Sequence, residues 1–186
     1  KHHHICADIE YLPLKSGSVD FVWSNLVFEW GESITRIIEN IRRVLRPGGL
    51  VMFSTLGPDT LMELKATFDH LDVNHPINQF LDMHDIGDQL IEGGLLDPVM
   101  DAEILKLEFS SFTSLISTLK KAGSISKTLT PSDRIPWSEV EKKYSNFVQK
   151  TNVFPASFEI IYGHAWAPES NVSSKFPIIK IHQTKS

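Results

Sequence analysis

Between Val19 and Phe53 the chain runs through an apolar stretch, an amphipathic stretch, a turn and a second apolar stretch, and few folds accommodate that order. Val19 to Trp23 is short and rich in apolar and β-branched residues, which predicts a strand buried on both faces. Ser33 to Leu45 sets Ile34, Ile37, Ile38, Ile41, Val44 and Leu45 at helical spacing with Arg and Glu between them. Arg46-Pro47-Gly48-Gly49 ends that helix, since proline cannot continue it and glycine takes the turn. Leu50 to Phe53 is a second buried strand. Strand, helix and strand with short joints make a right-handed crossover between parallel neighbours. Ligands of such sheets bind at the carboxyl ends of the strands. Asp8, Ser24-Asn25 and Ser54-Thr55 are polar residues at such ends and are expected to face one crevice.

Further along, Leu61, Leu64, Phe68 and Leu71 form the apolar face of another helix. Asp82 caps a third, Met83 to Ile91, which Gly93-Gly94 ends. Val99 to Phe109 is expected to pair with Phe158 to Trp166. Two helices, about Ser111 to Ala122 and Pro136 to Lys150, interrupt that pair. The fold class is therefore α/β with a helical insertion. Residues 1–168 are expected to form one partial domain, with the insertion at about 111–150, and 169–186 a tail.

Composition narrows the partners. The net charge of −5 argues against nucleic acid. Its distribution is uneven: residues 59–110 carry twelve acids and two bases, whereas 111–150 carry seven bases and three acids. The second segment reads either as solvated helix faces or as a basic landing surface for an acidic partner. No run approaches the roughly 18 to 20 apolar residues of a membrane helix, so no membrane partner is expected. The single cysteine, Cys6, excludes an internal disulfide and is expected to be buried at a strand, in keeping with a cytoplasmic protein. No metal site is expected, because His2, His3 and His4 cannot all face one ion from a strand whose side chains alternate.

Three segments carry a family resemblance. Ala7-Asp8-Ile9-Glu10-Tyr11-Leu12-Pro13-Leu14, Asp20-Phe21-Val22-Trp23-Ser24-Asn25-Leu26 with Trp30, and Leu45-Arg46-Pro47-Gly48-Gly49 resemble three successive motifs of the class I S-adenosylmethionine-dependent methyltransferases. More narrowly, Ser24 to Trp30, Phe53 to Gly57, Leu119 to Gly123 and Phe154 to Ile160 look like the malonyl-[acyl-carrier protein] O-methyltransferases of biotin synthesis.

The resemblance implies a Rossmann-like sheet, mostly parallel with an antiparallel hairpin edge, and S-adenosylmethionine as cofactor. It implies that Asp8 accepts from the adenine amine, that Ile9 packs on the ring, and that Ser24, Asn25 and Leu26 line the cofactor's methionine end. The acceptor would be an acyl-carrier protein or CoA thioester, with Trp30, Lys120, Lys121 and Arg134 as candidate binding residues. The catalytic residues are not identified. Two other readings stay open: a silent accessory protein resembling the respiratory complex I assembly factors through Asp59-Thr60-Leu61-Met62-Glu63-Leu64, and a methyltransferase for small molecules. The family's glycine-rich loop is expected upstream of residue 1, so these 186 residues alone are expected to bind cofactor weakly and to be inactive. The edge at Val19 to Trp23 is expected to be covered by upstream residues, by a second chain in a dimer, or by a refolded His2-to-Ala7 strand.

Overall fold

The computed structural model describes residues 3–72, 77–123, 136–148 and 153–169. Its secondary structure runs β1 (Val19–Asn25), α1 (Ile34–Val44), β2 (Leu45–Leu56), α2 (Met62–Asp69), α3 (Met83–Glu92), β3 (Leu96–Phe109), α4 (Phe112–Ala122), α5 (Trp137–Tyr144) and β4 (Phe154–Trp166). Short 3-10 turns lie at Ile9–Tyr11, Phe28–Trp30 and Ser145–Phe147. The four strands form one mixed sheet in the order β1-β2-β4-β3. β1 and β2 are parallel, while β4 runs antiparallel to both β2 and β3.

Three of the five described helices start at a side-chain cap. Ser33 caps α1 by accepting from the Arg36 amide, and Asp82 caps α3 by accepting from the His84 amide. Ser111 caps α4 in the same way through the Ser114 amide. The turn at Arg46 to Gly49 forms as expected, but inside the paired region. Val19 pairs with Leu45 and Phe21 with Leu50, so the turn is a bulge in β2, and Gly48 takes a positive φ of 72°.

Two apolar cores result. The first lies between one face of the sheet and α1 with α3, and includes Ile37, Ile38, Ile41, Val51, Phe53 and Ile161. The second lies under the helical insertion, where α2, α4 and α5 meet the start of β4 through Leu64, Phe68, Phe112, Leu115, Tyr144 and Ala156. None of the described helices is long and apolar enough to cross a membrane.

Three expectations are corrected. β1 is not buried on both faces: among the described residues it has a strand on one side only, and Phe21 and Trp23 are 50% and 76% exposed. The segment from His3 to Ala7 does not form a covering strand: its backbone is irregular, and it runs into a loop that is held to α1. Asp8 caps the first 3-10 turn, and the residues that follow are bonded to α1. Cys6 lies in this segment of irregular backbone and is exposed. Arg134, Lys150 and the tail 170–186 lie outside the described residues.

Candidate active site

The crevice begins with the loop Asp8 to Leu14. One oxygen of Asp8 accepts from the Glu10 amide at 2.8 Å, which sets the 3-10 turn. The loop is then stapled to α1 by a polar stripe. Glu10 is buried and accepts from the Ser33 amide at 2.7 Å, with Arg36 at 3.5 Å. Asn40 donates to the Glu10 carbonyl. Arg43 donates to the carbonyls of Leu14 at 2.6 Å and Leu12 at 2.7 Å. One guanidinium thus satisfies two carbonyls of a loop with no strand to pair with. Arg36, Asn40 and Arg43 recur at helical spacing beside the apolar stripe of α1, a pattern legible in the sequence but not singled out there.

Between this loop and the end of β1 lies a slot of about 320 Å³. Ile5, Ile9, Val22, Val27, Ser24 and Asn25 are among its walls. The Ser24 hydroxyl is buried and has no hydrogen-bond partner among the described residues. Asn25 accepts from the Ser54 hydroxyl at 2.7 Å across the strands. Leu26 leaves the strand in the left-handed region at φ 51°, its amide donating to the Ser54 carbonyl at 2.9 Å. A leucine there is strained, and such strain concentrates where a chain must turn sharply at a site. The slot is mostly apolar, with the unpaired Ser24 hydroxyl in its wall and Asp8 in the adjoining turn, and such a slot suits a largely apolar ligand with one polar group. No glycine-rich loop lines it among the described residues.

The remaining candidates gather elsewhere. Phe28 turns into the first core and stacks on Phe53, with ring centroids 4.7 Å apart. Trp30 turns outward, and its ring lies over Gly123, where α4 ends at φ 72°. Lys120 and Lys121 line an apolar groove of about 550 Å³ between α4 and α5, over Phe112, Ile116 and Trp137. The Lys120 ammonium stands 5.3 Å from the Trp137 ring centroid. The structure therefore brings Ile9, Ser24 and Asn25 into one slot, with Asp8 in the adjoining turn, and sets the two lysines in a separate groove.

The first 53 residues match the model of a methyltransferase domain. The fold is shared with a solved candidate methyltransferase of Bacillus halodurans: the TM-score is 0.54 at 14% identity, over 87% of this chain and 70% of that one. The fold is the Rossmann-like one of the class I methyltransferases. The sequence is similar to the malonyl-[acyl-carrier protein] O-methyltransferases. It is 40% identical to that of Laribacter hongkongensis over 96% of this chain and 62% of the relative. With that of Gallionella capsiferriformans the identity is 39%, over 91% and 59%. The chain thus spans about three fifths of the length of the curated relatives it matches.

Proposed function

We propose that the complete protein transfers a methyl group from S-adenosylmethionine to the free carboxylate of a malonyl thioester, carried on acyl-carrier protein or CoA, as a step of biotin synthesis in the cytoplasm. The observation that carries this reading is similarity at about 40% identity to malonyl-[acyl-carrier protein] O-methyltransferases across nearly the whole chain, helical insertion included. Residues 1–168 then form part of the methyltransferase domain, with about 111–150 as its substrate cover.

The cofactor supplies an electrophilic methyl on a sulfonium. In this reading Asp8 would accept from the adenine amine and Ile9 and Val22 would supply apolar surface to the ring. Ser24, Asn25 and Leu26 would hold the methionine end. The malonyl carboxylate is already ionised at neutral pH, so the chain need not supply a base. Its residues orient the acceptor and exclude water. Trp30 stands between the crevice and α4, and Lys120, Lys121 and Arg134 offer positive charge to an acidic carrier.

The shared Asp59-to-Leu64 segment does not favour the accessory-protein reading. Thr60 and Glu63 within it bond to β4, a structural role that serves an active or a silent fold alike. The test is methyl transfer by the complete protein to malonyl-carrier protein, malonyl-CoA and small acceptors. Transfer to the malonyl thioesters is expected. Failure to bind S-adenosylmethionine would overturn the reading in favour of a silent fold, and transfer to small acceptors alone would reassign the substrate.

A further inference from the structure

The turn Phe28–Trp30 sends its first residue inward and its last outward, and Glu29 between them lies half-buried. Its Oε2 accepts from the buried Thr55 hydroxyl at 3.2 Å, at the carboxyl end of β2. Glu29 borders two adjoining cavities. One, of about 270 Å³, has Phe28, Thr55, Leu56, Gln79, Phe80 and Ile86 among its walls. The other is small and lies beneath Trp30, bounded by Asn78, Phe80 and Gly123.

No lysine, arginine or histidine lines either cavity among the described residues, and the second ionisable group present is the exposed Glu32. Lys65 stands over the Phe80 ring at 5.9 Å and donates to the Pro58 carbonyl. Burial pushes the Glu29 carboxyl above its usual range, against the opposing pull of its own backbone and of Thr55.

A carboxyl group without a cation repels a second anion and pairs with hydrogen-bond donors. The malonyl carboxylate therefore has no place beside Glu29. What suits these walls is a neutral chain of methylenes and amide groups. Phe80, Leu56 and Trp30 supply flat apolar surface, and Glu29, Gln79 and Asn78 supply polar partners. Carrier proteins and CoA both present their acyl groups on such a chain, the pantetheine arm.

We infer that Glu29 is a specificity-determining residue that receives an amide N–H of the pantetheine arm. The protein thereby selects a malonyl group on that arm over the same group on a short thioester. This rests on the proposed function for the identity of the acceptor.

The experiment uses the complete protein, with pantetheine binding followed by calorimetry and methyl transfer measured to malonyl-pantetheine and to malonyl ethyl thioester. The wild-type protein is expected to bind pantetheine and to prefer the longer acceptor in kcat/KM. Glu29→Ala should weaken pantetheine binding and lose that preference by about ten-fold or more, leaving the short thioester unaffected. Glu29→Gln keeps an acceptor oxygen and should retain most of the preference. Equal losses on both acceptors, or on neither, would overturn the inference, as would a wild type that neither binds pantetheine nor prefers the longer acceptor. Pantetheine binding that depends on Glu29 without methyl transfer would overturn the functional reading and leave this inference standing.

Discussion

Glu63 and Ser157, 94 residues apart, are joined by two hydrogen bonds: the Ser157 amide donates to the Glu63 carboxylate at 3.0 Å and its hydroxyl at 2.6 Å. Both residues are buried, so water cannot replace either bond. The pair fixes α2 against the start of β4. Glu63→Ala should destabilise the protein by about 3 kcal/mol, because the Ser157 amide is left buried and unpaired. Glu63→Gln, which keeps one acceptor oxygen, should cost less. Urea unfolding of both variants checks this, and a Glu63→Ala loss within error of zero would remove the clamp.

Gly123 takes a positive φ, and a Cβ there would come within 2.1 Å of a Trp30 ring carbon. Gly123→Ala should therefore cost about 1–2 kcal/mol from the left-handed backbone alone, plus the displacement of the indole. Combining it with Trp30→Ala should relieve the second part, leaving the two changes clearly non-additive. Strict additivity in thermal unfolding would show that the ring moves aside freely.

Arg43 bridges the carbonyls of Leu12 and Leu14. Arg43→Lys keeps the charge but offers no planar fork to span both oxygens. Hydrogen exchange across residues 8–14 should accelerate in this variant. In the complete protein, binding of S-adenosylhomocysteine should weaken by about ten-fold, the loss of one charged hydrogen bond. Unchanged exchange in the loop would mean that Glu10 and Asn40 hold it alone.

Burial raises the Glu29 carboxyl above its ordinary 4.5, so the folded state keeps that proton to higher pH than the unfolded state does. The associated stability is present below the ordinary value and is lost as pH rises through the folded value. Glu29→Gln has no such loss. Its stability relative to wild type should increase between acid and neutral pH, as followed by unfolding at a series of pH values. A difference that shrinks with rising pH would contradict the assignment.

Lys120 and Lys121 offer the described positive charge beside the groove between α4 and α5. Replacing both with Glu should weaken binding of an acidic carrier protein to the complete enzyme and flatten its dependence on salt. Binding that is unchanged in affinity and in salt slope would remove this surface from carrier recognition.

Much of the fold was legible because its signals are local. The isoleucine stripe of α1 and the cap Asp82 declare themselves within a few residues, and the helix starts at Ser33 and Ser111 fall where the patterns begin. The exposure of Phe21 and Trp23 was not legible, because an apolar strand reads the same whether one face of its sheet is covered or both. Phe28 and Trp30 show the same limit two residues apart: one is core and the other surface, and the turn between them decides which. At the site, Ser24 and Asn25 line the slot, as residues ending β1 were expected to, whereas Ser54 and Thr55 at the end of β2 line other cavities instead of the shared crevice expected for them. The helical spacing of Asn40 and Arg43 was legible, but what they and Glu10 hold was not, because their partners are backbone carbonyls and amides on another element, which leave no mark in residue type. Glu29 was missed because its isolation from any cation is a property of the assembled walls.

The placement of β4 has a consequence for how the molecule comes into being. A ribosome delivers β2 and β3 long before residues 154–166, yet β3 has no partner among the described strands except β4, and β2 meets β3 only through it. During synthesis both strands must wait with open edges until Trp166 has cleared the exit tunnel. The nascent chain is therefore most vulnerable to mispairing in that interval, and its yield should respond to holdase chaperones that shield unpaired strands.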